Sequence, residues 1–592
     1  VSGADATTAW ARAFVDELAR VGVREVVVAP GSRSTPLVLA FAGDGRFRVR
    51  VHLDERSAGF FALGVGKASG MPAAVVTTSG TATANLHGAV IEAAQGEAPL
   101  LVLTADRPHR LRGADANQAI DQTRLYGPHV RAFFEVAPPT LEGPALRHLR
   151  TLAARAVLAA REAPAGPVHV NFPFDKPLEP AAPSDEAAAF ASEHPLAAGG
   201  RGEARPFVAV APARRVATQE ELGRLRATLA AARRGVVVAG PSAEPDRDGP
   251  AATALASAAG FPLLADPLSG ARFGPSGGAL VVGEYDLILR EGDVRARLAP
   301  DLVVRTGASP TSAALQRWLE DHNGVTHVVL DGGGRWKDHA SLATHYVRAD
   351  AADALHHLAG EIACDADPSW ADAWRRCASV TRGALAADAR GEPHEGHVLA
   401  TVASSLPAGT VLFVSSSMPV RDLDAFGPPR EDALRVLGNR GASGIDGIVS
   451  TAFGVSAASG GDRPVVCVLG DVALFHDQNG LLWQREPDAR VVFVLVDNDG
   501  GGIFHMLPVR DHEPHFTRLF ATPHGLDFRH AAALHGISLR DVDAAGLGAA
   551  LTDALAAGRT CILRVRGDRD TNARRHREVA EAVARSVRAA LG

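Results

Sequence analysis

Short runs of uninterrupted apolar residues recur along this chain, each stopped by a turn signal and followed by helix-length sequence. Residues 25–29 read EVVVA and end at Pro30-Gly31; residues 73–77 (AAVVT), 100–104 (LLVLT) and 168–171 (VHVN) look alike. The pattern returns at 235–239 (GVVVA), 301–305 (DLVVR) and 326–330 (THVVL), and again at 410–414 (TVLFV), 464–469 (PVVCVL) and 490–496 (RVVFVLV). Runs this short, rich in β-branched residues, fit strands buried on both faces. Strands that do not alternate belong to parallel sheets whose helical crossovers cover both sides. The expected fold class is therefore α/β, with three consecutive doubly wound parallel-sheet domains. At 592 residues the chain exceeds what one core supports. The expected domains are 1–180, 207–362 and 363–592. Residues 181–206, rich in Pro, Ala, Ser and Gly, read as a linker.

Charge and cysteine usage narrow the function classes. A net charge of −6 gives no bulk basic surface for nucleic acid. Only Lys67, Lys176 and Lys337 are lysines, so any cationic pocket is built from arginine. Cys364, Cys377, Cys467 and Cys561 show no metal-ligand spacing, and their use fits a reducing cytoplasm. No apolar stretch reaches the roughly 18–20 residues that cross a bilayer. The N-terminus lacks a basic-then-apolar signal pattern, and the start at Val1 reads as a missing or trimmed initiator Met.

The sharpest local signal is Gly470-Asp471 at the end of one run, with Asp497-Asn498-Asp499-Gly500-Gly501-Gly502 at the end of the next. Asp471 and Asn498 are 27 positions apart and close two parallel strands at their carboxyl ends, where open α/β sheets bind ligands. A carboxylate and an amide oxygen suit a hard cation such as Mg²⁺. The glycines permit close backbone approach, and a carbonyl such as that of Gly500 can add a third ligand. The plain alternative is two ordinary turns after two strands. With this spacing and tail the pair resembles the thiamine-diphosphate motif.

Glu55 opens an apolar helix in the segment HLDERSAGFFALGV, and by itself reads as a first-turn acid favoured by the helix dipole. The resemblance implies more: one Glu of the first domain hydrogen-bonds the aminopyrimidine ring of the cofactor, and Glu55 is carried over as that catalytic group. An apolar surrounding raises the pKa of a carboxylic acid, which suits proton exchange with a ring nitrogen. In this superfamily the Glu and the diphosphate site meet across a subunit interface, so a homodimer or homotetramer is implied.

Longer motifs narrow the resemblance. They are Pro30-Gly31-Ser32-Arg33-Ser34-Thr35-Pro36, residues 77–85 (TTSGTATAN), residues 104–108 (TADRP), Ala116-Asn117-Gln118, residues 415–422 (SSSMPVRD) and residues 439–447 (NRGASGIDG). Together they resemble the menaquinone-pathway 2-succinyl-5-enolpyruvyl-6-hydroxy-3-cyclohexene-1-carboxylate synthase family, closely in the first and third domains and weakly in the middle one. The resemblance implies decarboxylation of 2-oxoglutarate and 1,4-addition of the succinyl carbanion to isochorismate, with thiamine diphosphate and Mg²⁺ (or Mn²⁺) as cofactors. Glu55, Ser443, Ile445, Asp471, Val472, Ala473, Asn498, Gly500, Gly501 and Ile503 are then expected at the cofactor, with Asp471, Asn498 and Gly500 on the metal. Both substrates are dicarboxylates, and guanidinium matches carboxylate in a two-pronged geometry. Arg33, Arg107, Arg421 and Arg440 are the expected anion holders, with Ser32, Asn117, Gln118 and Ser417 orienting and Ile503 and Phe504 as apolar walls. Asp497 stands where Asn is commoner, and Val472-Ala473 where bulkier or hydroxylated residues are usual. Another thiamine-diphosphate-dependent decarboxylase or carboligase is the alternative, and a non-catalytic nucleotide- or flavin-binding α/β protein is a third.

Overall fold

The computed structural model describes residues 3–180 and 182–592. It contains three parallel six-stranded sheets. The first is built from β1 (Glu25–Val28), β2 (Arg48–Val51), β3 (Ala73–Thr77), β4 (Leu100–Asp106), β5 (Ala132–Glu135) and β6 (Pro167–Pro173), in the order β2-β1-β3-β4-β6-β5. The second uses β7 (Gly235–Ala239), β8 (Leu263–Ala265), β9 (Val281–Val282), β10 (Leu302–Thr306), β11 (Thr326–Leu330) and β12 (His345–Val347), ordered β12-β11-β10-β7-β8-β9. The third uses β13 (Val411–Val414), β14 (Arg435–Leu437), β15 (Val465–Gly470), β16 (Val492–Asp497), β17 (Ser538–Asp541) and β18 (Cys561–Arg566), ordered β14-β13-β15-β16-β18-β17.

The uninterrupted apolar runs became the central strands. Every residue of β1, β3, β4 and β6 is buried, because helices cover both faces. Each sheet reverses direction beside its first strand, and such a reversal opens a crevice at the carboxyl ends. The motifs of interest all lie just past those ends: Ser32-Arg33 after β1, Ser79 after β3, Arg107 after β4, Ser417 after β13, Asp471 after β15 and Asn498 after β16. The segment read as a linker carries two short helices, Asp185–Glu193 and Pro195–Gly199, and Ala181 at its start lies outside the described residues.

By contact density the chain divides into two compact units. One holds Val1–Ala213 with Arg440–Asp462 and Asp477–Ala489; the other holds Arg214–Asn439, Arg463–His476 and Arg490–Gly592. Segments from the third region of sequence are thus integral to the first unit. There the helix Ile448–Ala458 crosses the helix Glu55–Ser69 at almost backbone distance. An ideal Cβ on Gly64 would lie 2.1 Å from the Thr451 carbonyl oxygen, and one on Gly454 would lie 2.0 Å from that of Phe61. Trp483 stacks on Phe61 at 4.0 Å, and Arg50 grips both carboxylate oxygens of Asp488 at 2.6 and 2.7 Å. In the second unit, Arg272 is wholly buried and its guanidinium meets Asp424 at 2.6 Å.

This crossing yields a sign test. In an ordinary helix, replacing Gly by Ala stabilises by about 1 kcal/mol. Gly64→Ala should instead destabilise by about 1–3 kcal/mol, because the new methyl has no space. A drop in the thermal unfolding midpoint checks this.

Candidate active site

Asp471 is the first residue of the short helix Asp471–His476 and is 2% exposed. Its Oδ1 accepts the Val472 N–H at 2.7 Å, and its Oδ2 accepts the N–H groups of Asn498 and Gly500 at 3.1 and 2.9 Å. Burial pushes the carboxyl above its usual range, while the Gly500 and Val472 amides pull the other way. His524 points Nε2 at the same oxygen from 3.3 Å.

The loop after β16 wraps around this carboxylate. Asp499 has φ 61° and Gly500 has φ 138°. A Cβ on Gly500 would meet the Ala521 carbonyl at 2.2 Å, so glycine is required there by close backbone approach. Arg569 ties the outer side of the loop, donating to the Asn498 carbonyl at 2.8 Å and to that of Asp499. The Asn498 side chain lies inward. Its Nδ2 donates to Glu395 Oε1 at 2.7 Å, and its buried Oδ1 finds no hydrogen-bond partner among the described residues. Burial pushes the Glu395 carboxyl well up, with Asp422 adding to the effect.

A buried acceptor without a donor costs roughly 1–3 kcal/mol. It is relieved by a ligand that is itself positive. Beside a buried carboxylate and a glycine carbonyl this donor set is all oxygen, the chemistry of Mg²⁺ or Mn²⁺. The Gly500 carbonyl accepts only from Gly502 N–H among the described hydrogen bonds, at 3.0 Å, and keeps a second lone pair. The residues present therefore fit a divalent cation. Asp497 and His524 lie in the same group, all within 4.8 Å of one another with Asp471. Asp388, His394 and His397 form a second such group, but it is a hydrogen-bonded hub. His394 Nδ1 accepts the Gly396 N–H, which makes Nε2 the proton-bearing donor to Asp388 at 2.8 Å, and Arg575 holds the other Asp388 oxygen.

The other expected cofactor and substrate residues of this unit flank the loop or close β13. Val472 contributes its amide to Asp471, and Ala473 is buried. Gly501 N–H binds the Ala521 carbonyl at 2.8 Å. Ile503 and Phe504 are half-buried in the turn Gly502–Met506, with Phe504 edge-on to Phe520. Ser417 adopts φ 73° at the start of the helix Met418–Phe426, and its carbonyl accepts from Arg421 at 2.6 Å.

In the other unit, Glu55 is half-buried at the head of its helix, whose N-cap Asp54 accepts the Arg56 N–H. Asn85 Nδ2 faces Glu55 Oε2 at 3.4 Å. Arg33 is buried and donates to the Phe174 carbonyl at 2.9 Å; its Nε has no partner among the described residues. Burial lowers its pKa from the usual value, and the positive charge of Arg107 adds to this. Arg107 is fixed by Ser79 Oγ at 2.9 Å and the Asn117 carbonyl at 2.7 Å. Gln118 closes the interlock by donating to the Ser79 carbonyl at 2.8 Å. Two guanidinium groups that repel one another, beside the exposed Ser32, Asn117 and Gln118, suit an anionic guest. Arg440, Ser443 and Ile445 share one loop, held where the Gly441 and Ala442 amides bind Glu92 at 3.0 and 2.7 Å. Sequence reasoning missed Glu395, His524, Arg569 and Glu92. None stands in a motif, and each becomes relevant through a partner distant in the chain.

The geometry has its counterpart among known proteins. Residues 8–125 match the thiamine pyrophosphate enzyme N-terminal TPP binding domain, 201–414 the middle domain of thiamine pyrophosphate enzymes, and 429–565 the C-terminal TPP binding domain. In fold the chain is similar to benzoylformate decarboxylase from Polynucleobacter necessarius, with TM-score 0.70 and 17% identity over 94% of this chain and 98% of that one. It is a thiamine-pyrophosphate enzyme by class. Among its relatives are 2-succinyl-5-enolpyruvyl-6-hydroxy-3-cyclohexene-1-carboxylate synthases. That of Halobacterium salinarum is 47% identical over 97% of this chain and 98% of its own length, and that of Chloroflexus aurantiacus is 44% identical over 97% and 96%. That of Geobacillus kaustophilus is 43% identical over 99% of both. The chain belongs to this synthase family.

Gly502 leaves the space in which the Asn498 amide sits, since a Cβ there would lie 2.6 Å from Nδ2. Gly502→Ala should keep the fold and weaken Mn²⁺ binding in the presence of thiamine diphosphate by about tenfold, or about 1.4 kcal/mol. Titration of the free-Mn²⁺ paramagnetic resonance signal measures it.

Proposed function

We propose that this chain is a thiamine-diphosphate- and Mg²⁺-dependent synthase that decarboxylates 2-oxoglutarate and adds the succinyl unit to isochorismate by 1,4-addition. The product is 2-succinyl-5-enolpyruvyl-6-hydroxy-3-cyclohexene-1-carboxylate, with release of CO₂. The observation that carries this reading is the unpartnered, buried Oδ1 of Asn498 beside the buried Asp471 carboxylate, in a chain of this family. Thiamine diphosphate, when bound, would supply a thiazolium ring that takes up the electron pair released as CO₂ departs.

The protein's own part is to hold, orient and neutralise. Asp471 and Asn498, with the Gly500 carbonyl, hold the divalent ion and through it the diphosphate. Glu55 holds a proton at the cofactor's pyrimidine ring. Arg33 and Arg107, with Arg421 and Arg440, bind the carboxylates of the two substrates, and Ser32, Asn117, Gln118 and Ser417 orient them. Ser443, Ile445, Val472, Ala473, Gly501 and Ile503 line the cofactor, Ile503 and Phe504 wall the substrate pocket, and together they exclude water. The working form is a homodimer or homotetramer whose active sites join residues of two copies, and it acts in the cytoplasm.

With thiamine diphosphate and Mg²⁺ the purified protein should consume 2-oxoglutarate and isochorismate together. Unchanged isochorismate absorbance would sink the proposal, and release of free succinic semialdehyde without isochorismate would favour a simple decarboxylase. Glu55→Gln should fold and bind cofactor with turnover lowered by about 10²–10⁴-fold. Steady-state rates and cofactor titration on the same preparation separate the two effects.

A further inference from the structure

An asparagine amide has two ends of opposite character, an acceptor oxygen and a donor nitrogen, and they occupy nearly the same volume. Shape alone does not decide which end faces a cation. We infer that Glu395 is the positioning residue that fixes the amide of Asn498, so that Oδ1 and not Nδ2 is presented to the divalent ion. This rests on the reading of Asp471 and Asn498 as cation ligands.

The geometry supplies the reason. Glu395 Oε1 accepts from Asn498 Nδ2 at 2.7 Å, and a carboxyl oxygen that carries no proton can only accept. Turning the amide over would set two oxygens against each other and aim N–H groups at the cation. Glu395 is itself held. It opens the helix Glu395–Ser405, is 4% exposed, and its backbone N–H donates to Asn572 Oδ1 at 3.0 Å. Asn572 belongs to the C-terminal helix Arg569–Leu591, whose Arg569 grips the Asn498 carbonyl. The same helix carries His576, with ring nitrogens 2.8 Å from the Asn572 carbonyl and from Asp422. Asn498 is therefore set twice from one helix, at its backbone by Arg569 and at its side chain through Asn572 and Glu395. Groups behind a metal ligand that fix its orientation commonly govern affinity by about 10–100-fold.

The test is Mn²⁺ binding by the full-length protein with thiamine diphosphate, read as loss of the free-Mn²⁺ resonance signal. Wild type should bind and Asp471→Ala should not. If wild type fails to bind, or Asp471→Ala binds equally, the cation reading itself falls and this inference with it. Given that control, Glu395→Ala should bind Mn²⁺ about 10–100-fold more weakly, and Glu395→Gln, which keeps an acceptor in place, should recover most of the loss. Glu395→Ala binding as wild type does would overturn the inference. A reversed pair decides the matter even if Glu395→Ala does not fold. Asn498→Asp adds negative charge to the cation site yet sets two carboxylates face to face, so it should bind more weakly than wild type. Glu395→Gln combined with Asn498→Asp should regain affinity over Asn498→Asp alone, because the glutamine amide now donates. Equal Mn²⁺ affinity in that single and double variant would refute the role of Glu395, since a merely structural residue shows no such coupling.

Discussion

The carboxylate of Asp471 gathers three backbone N–H groups, one from its own helix turn and two from the loop that follows the neighbouring strand. This arrangement locks the ends of β15 and β16 to each other. It also requires Gly500 to adopt φ 138° and to run within van der Waals distance of the Ala521 backbone. A buried anion is tolerated because oriented amides surround it, and its remaining negative field is what a divalent ion needs. The orientation of Asn498, the turn that carries Ile503 and Phe504, and the reach of Arg569 all follow from that fixed point.

The arginine cluster of the other unit obeys the same rule with opposite charge. The buried guanidinium groups of Arg33 and Arg107 donate to carbonyls and a hydroxyl, and those acceptors are neutral. A chain of net charge −6 thereby concentrates two positive charges at one place. Neutral acceptors position the guanidinium groups without cancelling them, which a paired carboxylate would do.

Much of the fold was legible because the central strands are buried on both faces, and continuous apolar runs have few other uses. Strands that carry buried charge left weaker traces. β2 reads RVRV and pairs its buried Arg50 with Glu25 and Asp488, so charge broke the apolar run. β18 reads CILRVR, and its Arg564 is fully buried against Asp541 and Asp527. Those partners lie outside the strand, and a local pattern does not contain them. The grouping of 440–462 and 477–489 with the first unit was likewise invisible, since it depends on the close crossing permitted by Gly64 and Gly454. The short helices at 185–199, in a stretch whose composition suggested a linker, show that alanine-rich sequence folds when a neighbour is available.

For the candidate site the division is sharper. Sequence by itself determined that a carboxylate and an amide would stand at the carboxyl ends of adjacent parallel strands, because strand ends and turn glycines are encoded within a few residues. Tertiary structure alone decided which way the amide faces and how the loop is tied. Glu395 lies 103 positions from Asn498, and Arg569 lies 71 positions away. The direction of a hydrogen bond is a property of both partners, and only the folded chain brings them together.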